Sequence, residues 1–156
     1  MVFTVIDQDL FGICEPVNLN KHNLQTVRIS VESGVVRLIR EEENILHALS
    51  GRGFTGSYVL WGGPKDGWIL EIESRRGGTY FFAVGPGKII SYSFNKYNQD
   101  ELVKKNFAVI EANNFVSGKM RTADCSKFVL TIDGSELPQG RGGCRCMILP
   151  LRREAV

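Results

Sequence analysis

The apolar residues of this chain come in short runs rich in β-branched and aromatic side chains, each closed by glycine, proline, asparagine or aspartate. That pattern restricts it to short strands joined by tight turns, with a few helices between them. Val2 to Ile6 reads as a strand that starts at once. Thr26 to Val31 alternates apolar and polar residues, as a half-buried strand does, and Val35 to Ile39 is a further β-branched patch. Glu41 to Ser50 reads as a helix with acids in its first turn, an Ile45, Leu46, Leu49 stripe and Gly51 as its stop. Tyr58 to Trp61 is strand-like and runs into the turn Gly62-Gly63-Pro64, whereas Trp68 to Arg76 fits either period. Tyr80 to Val84 and Lys88 to Tyr92 read as strands joined by Gly85-Pro86-Gly87. Asn98 to Lys105 is then a helix capped by Asn98, followed by strands at Phe107 to Glu111, Lys127 to Ile132 and Met147 to Leu151. Asn113 to Ser126 reads as a loop or insertion.

With 156 residues, residues 1–156 are expected to form a single domain. A strand beginning at residue 2 implies that something precedes it in a longer parent protein. Hydrophobic residues at 43% and charged residues at 23% are ordinary for a globular protein. The net charge of +2 and the scattered basic residues, paired only at Arg75-Arg76 and Arg152-Arg153, give no electrostatic case for nucleic acid or a membrane surface. No apolar run approaches the roughly 18 residues of a membrane span. Met1 to Leu10 carries Asp7 and Asp9 and does not read as a signal peptide. Cys14, Cys125, Cys144 and Cys146 therefore read as reduced thiols, and a cytoplasmic location is expected. Cys144-x-Cys146 offers two thiolates with no second pair, and His22 and His47 have no ligand spacing, so no metal site is expected. His47 falls on the predicted helix as a solvated or half-buried residue, and a polar turn after the first strand accounts for Asp7 and Asp9.

The stretch that carries chemistry is Gly140-Arg-Gly-Gly-Cys-Arg-Cys-Met. Its glycines free the backbone to approach a ligand closely. Arg141 and Arg145 place positive charge near Cys146, a setting that favours a thiolate nucleophile. The same loop also reads as an anion-binding nest or a simple turn. Two cysteines two residues apart would share one strand face, which leaves a redox pair open.

Residues 134 to 153, from Gly134 through Gln139-Gly140-Arg141-Gly142-Gly143-Cys144-Arg145-Cys146-Met147 to Arg153, closely resemble the C-terminal signature of arginine deiminases. There a Gly-Arg-Gly-Gly loop delivers the nucleophilic cysteine, followed by methionine. Met1-Val-Phe-Thr-Val-Ile-Asp7 resembles the strand after that family's His-Leu-Asp motif. Gly77 to Gly87 and Lys88 to Leu102 resemble its later strand, turn, asparagine and helix. Departures are Tyr80 in place of the usual asparagine, Gly77 where an acid is common, and the stretch from Asn113 to Ser126.

The resemblance implies an α/β fold, a partial pentein (α/β-propeller) made of about two ββαβ units, forming the C-terminal part of a deiminase-like catalytic domain. It implies hydrolysis of L-arginine to L-citrulline and ammonia without metal or organic cofactor. Cys146 would be the nucleophile, and Arg141, Gly142 and Gly143 would bind substrate. Arg141 would sit near the substrate carboxylate or act as a gate; pinning the loop is the alternative. The family's histidine and acidic motifs do not occur in this sequence. A missing N-terminal half or partner chain is thus expected, with a homo-oligomer as a further option. The other readings are a non-catalytic pentein-derived binding or regulatory module, or another guanidine-modifying enzyme such as an amidinotransferase or dimethylarginine hydrolase.

Overall fold

The computed structural model describes residues 3–14, 25–51, 54, 57–61, 77–78, 80–140, 142–149 and 151. They form a mixed α/β structure with three sheets and few helices. The first sheet pairs β1 (Phe3–Asp7) antiparallel to β2 (Leu10–Cys14), and β2 parallel to β5 (Ser57–Trp61). Between β2 and β5 the chain makes a separate ribbon of β3 (Thr26–Glu32) and β4 (Val35–Glu42), then the short helix α1 (Ile45–Ser50). The ribbon turns at Ser33 and Gly34, both at positive φ (51° and 78°), as a two-residue hairpin loop requires.

The third sheet repeats the opening of the first. β6 (Phe82–Gly85) runs antiparallel to β7 (Lys88–Tyr92), and β7 runs parallel to β9 (Phe128–Ile132). Helix α2 (Lys96–Val103) leads from β7 to β8 (Ala108–Glu111), which lies outside β9 and parallel to it. So each of the two larger sheets has a hairpin, an intervening helix and a parallel return strand.

The two larger sheets meet where β1 approaches the β6–β7 hairpin. The Gly87 amide donates to the Ile6 carbonyl at 3.1 Å, and the Phe128 amide donates to the Gly87 carbonyl at 2.9 Å. Beneath these bonds Ile6, Leu10, Phe81, Ile89, Leu102, Phe107 and Val129 form one buried cluster. Each such side chain contributes about 1.5–3 kcal/mol of burial. Lys127 closes the junction from outside, with Nζ 2.6 Å from the Asp7 carboxylate and 5.8 Å from the centre of the Phe107 ring. Asp7 is thus an inter-sheet ion pair, while the neighbouring Gln8 and Asp9 form the turn.

Several sequence expectations need correcting. The helix expected over Glu41 to Ser50 begins only at Ile45, because Glu41 and Glu42 extend β4 opposite Val27 and Thr26. Its start is set by Asn44, whose side chain accepts from the His47 amide at 2.9 Å. The second helix starts at Lys96, ahead of Asn98, which is buried inside it and donates to the Gly78 carbonyl at 3.0 Å. It ends where Asn106 takes a left-handed conformation (φ 65°) that asparagine tolerates. The stretch from Asn113 to Ser126 holds the helix α3 (Ala112–Val116) and a 3-10 turn at Thr122–Asp124. Among the described residues the strand expected over Met147 to Leu151 does not form. A 3-10 turn covers Cys144–Met147, and the described residues after it have no ladder partner to make them a strand. Residues 62–64, 68–76 and His22 lie outside the described residues.

Glu42 ties the ribbon to α1 through His47 and pairs with two arginines of the ribbon itself. The Glu42 carboxylate, 2% exposed, meets Arg28 at 3.2 Å, Arg40 at 3.8 Å and His47 Nδ1 at 2.9 Å. Burial alone would raise the Glu42 pKa, but the His47 hydrogen bond and the charges of Arg28 and Arg40 bring it below the ordinary value. A depressed folded pKa stabilises the fold above the unfolded value, and that contribution is lost as pH falls through the lower folded value. Thermal melts from pH 7 to about pH 3 are expected to show a steeper acid loss in the parent than in Glu42→Gln, beginning near about pH 4.5. Equal slopes in the two proteins would show that Glu42 carries none of the acid sensitivity.

Candidate active site

The glycine-rich stretch folds as two successive 3-10 turns, Leu137–Gly140 and Cys144–Met147. The second packs against β7, whose last residue, Tyr92, is fully buried. The Cys146 amide donates to the Gly143 carbonyl at 2.9 Å, and this bond sets the pitch of the turn. Adjacent thiols therefore lie in opposite environments: Cys144 is 3% exposed, whereas Cys146 is open to solvent. They do not share a strand face, because no strand is formed there. Both are free thiols, as is Cys125.

Tyr92 is the floor of this turn. It stacks on Phe94 with ring centres 5.2 Å apart, and it faces the Cys144 thiol, a contact too loose to count as a full hydrogen bond. Burial pushes the Cys144 thiol up to about 11; the Tyr92 contact opposes that rise and the neighbouring Cys146 adds to it. The Tyr92 hydroxyl is raised as well, by burial first and then by the charges of the two cysteines. Cys144 is thereby held neutral at physiological pH.

The wall beside the turn is Tyr80. A Cβ added to Gly143 would lie 2.7 Å from Tyr80 Cβ and Cγ, and one added to Gly77, itself at φ 73°, would lie 2.3 Å from Tyr80 Cδ2. The two departures noted at positions 77 and 80 are thus coupled: a tyrosine at 80 leaves no room for a side chain at 77. Gly142 sits against the Leu137 carbonyl, to which its amide donates at 3.1 Å. Arg141 lies outside the described residues. A cavity of about 240 Å³ opens next to the first turn, lined by Phe94, Ser135, Glu136 and Gln139.

Residue types alone did not mark two buried carboxamides behind Tyr92. Asn95 and Asn98 are each 1% exposed, and Asn95 Oδ1, Asn95 Nδ2 and Asn98 Oδ1 have no hydrogen-bond partner among the described residues. Buried polar atoms left in that state are uncommon and call for an explanation. Their only sequence signal was the asparagine-rich turn after β7. His47 is tied to Glu42 at the ribbon's base, and the structure does not bring it to the cysteines. Among the described residues no three His, Cys, Asp or Glu side chains form a metal-holding group. Nor is any described helix long and apolar enough to cross a membrane.

The family model for arginine deiminase matches residues 1–153. The chain belongs to the arginine deiminase family. Among similar proteins, the arginine deiminase of Treponema denticola is 29% identical over 159 residues, covering 99% of this chain and 33% of that protein. The arginine deiminase of Streptococcus gordonii is 24% identical over 156 residues, covering 99% and 32%, and that of Latilactobacillus sakei is 26% identical over 163 residues, covering 98% and 33%. The chain therefore spans about a third of the length of the curated arginine deiminases it matches.

Exposure orders the thiols. Iodoacetamide at about pH 8 is expected to label Cys146 at least about tenfold faster than Cys144, since only exposed thiolates react. Peptide mass spectrometry would read the order, and equal or reversed labelling would contradict the buried placement of Cys144.

Proposed function

We propose that this chain is the cysteine-bearing C-terminal part, residues 1–156, of an arginine deiminase-like catalytic domain, with Cys146 as the nucleophile. The observation that carries this reading is the exposed Cys146 thiol, on a turn held by Tyr80 and Tyr92, in the residue that the sequence resemblance matches to the family's loop cysteine. The repeated hairpin, helix and parallel strand support an assignment of the two larger sheets to two units of a pentein. The reaction would be hydrolysis of L-arginine to L-citrulline and ammonia, in the cytoplasm.

The chemistry suits these groups. A guanidinium carbon is a weak electrophile, so a soft, nucleophilic thiolate is the appropriate attacker. Attack by the Cys146 sulfur and loss of ammonia leave an S-alkylthiouronium on the enzyme. Water then adds to the same carbon, the C–S bond breaks, and citrulline departs with the thiolate restored. Arg141, Gly142 and Gly143 would hold the substrate end of the loop. Keeping Cys144 neutral leaves Cys146 without a second thiolate beside it in competition for the same carbon.

The histidine that moves the protons and the carboxylates that grip the guanidinium belong to motifs this sequence does not carry. The Asn95 carboxamide and the Asn98 Oδ1 atom, without a hydrogen-bond partner among the described residues, support a site completed by further groups. This chain alone is therefore expected to release no citrulline from L-arginine. Mixed with the N-terminal two-thirds of the Streptococcus gordonii arginine deiminase, it is expected to gain turnover. Cys146→Ser should then lose at least about 10³-fold of that turnover, as removal of one member of a cooperating group does. Cys144→Ser should stay within about tenfold. Undiminished turnover in Cys146→Ser would refute the assignment.

A further inference from the structure

Gly77 and Gly143 stand at opposite edges of the Tyr80 ring. A Cβ at Gly143 would meet Tyr80 Cβ, Cγ and Cδ1 at 2.7, 2.7 and 2.9 Å, and one at Gly77 would meet the Cδ2 and Cε2 edge. The two glycines differ in backbone. Gly77, at φ 73°, lies in the left-handed region that favours glycine, whereas Gly143, at φ −145° and ψ 172°, has a β conformation open to any residue. What bars a side chain at 143 is therefore the tyrosine and not the backbone. The ring is anchored on one side and reaches the thiol on the other. Its own amide donates to the Gly77 carbonyl at 2.8 Å, which closes a turn over residues 77–80. Gly78, inside that turn, is buried, and its carbonyl accepts from the buried Asn98 carboxamide of α2 at 3.0 Å. Phe81, next in the chain, belongs to the core cluster. On the far side the Gly143 carbonyl receives the Cys146 amide, so a shift of Gly143 moves the turn that carries Cys146.

We propose that Tyr80 is a positioning residue for Cys146: its ring, seated between Gly77 and Gly143, fixes the Cys144–Met147 turn and so holds the thiol in one place. This rests on the assignment of Cys146 as the nucleophile. Tyr80 acts by shape, through the ring and Cβ carbons that abut the two glycines, so phenylalanine would serve as well. The need for such a clamp follows from the loop itself. Glycines at 140, 142 and 143 give the backbone wide freedom, and misplacing a reacting atom by about 1 Å costs on the order of 10²-fold in rate. Tyr80 replaces the asparagine usual in the family, which makes the clamp a feature of this chain.

Two readouts test this, and the first needs no deiminase activity. In the full chain, iodoacetamide labelling reads whether the turn keeps Cys144 in and Cys146 out, a rate ratio of at least about tenfold in the parent. Tyr80→Phe should keep that ratio within about twofold, whereas Tyr80→Ala should collapse it to below about threefold with an unchanged far-UV spectrum. Gly143→Ala, which presses on the ring without altering Tyr80, should collapse it as well. The second readout is turnover of the chain completed by the N-terminal part of the Streptococcus gordonii enzyme. There Tyr80→Ala should lower kcat about tenfold or more with KM within about threefold, and Tyr80→Phe should retain the parent kcat within about twofold. A labelling ratio left intact by Tyr80→Ala overturns the proposal, as does a Tyr80→Phe variant as impaired as Tyr80→Ala. A raised KM at unchanged kcat would make Tyr80 a substrate contact and overturns it too. Undiminished turnover in Cys146→Ser beside a collapsed ratio in Tyr80→Ala would overturn the nucleophile assignment and not the clamp.

Discussion

The backbone bond from Gly87 to Ile6 couples the two larger sheets, and the rest of the structure leans on it. It places the β6–β7 turn against the end of β1, so that Ile6 can enter the cluster made by Phe81, Ile89, Leu102, Phe107 and Val129. The same glycine receives the Phe128 amide and thereby sets the start of β9 next to β7. Because β7 and β9 run parallel from that point, the end of β7 is fixed, and Tyr92 with it. The floor under Cys144 and Cys146 is thus determined at the opposite end of the sheet.

That chain of support explains how a loop so rich in glycine can hold a defined shape. Gly143 is pressed on Tyr80, Cys144 is sunk beside Tyr92, and only Cys146 is left in solvent. Placing one thiol in and one out has a chemical consequence. Burial keeps the inner thiol protonated, and the outer one is the only member of the pair presented to a reagent or substrate.

The strands with clear alternation or β-branched runs were legible in the sequence: Thr26 to Val31, Val35 to Ile39, Lys88 to Tyr92 and Lys127 to Ile132 all correspond to observed strands within a few residues. Turn chemistry at Gly85-Pro86-Gly87 was equally plain. What failed depended on partners distant in sequence. Leu10–Cys14 was missed because five residues with a central glycine show no period, and its pairing with β1 and β5 makes it a strand. Met147 to Leu151 has the composition of a strand but no neighbour among the described residues to make it one. Glu41 and Glu42 look like a helix start until the register with Val27 and Thr26 is known. At the site, the loop and its exposed cysteine could be anticipated from residue types. The Tyr80–Gly77 coupling and the burial of Asn95 could not, since both are properties of packing.

The central claim, that Cys146 attacks the guanidinium carbon, is tested most directly by trapping the covalent intermediate. The chain, completed by the N-terminal part of an arginine deiminase, would be mixed with L-arginine, quenched in acid, digested and analysed by peptide mass spectrometry. The expected result is an adduct of arginine less ammonia on the peptide bearing Cys146, absent in Cys146→Ser. Citrulline formation accompanied by an adduct on Cys144, or on another residue in place of Cys146, would contradict it.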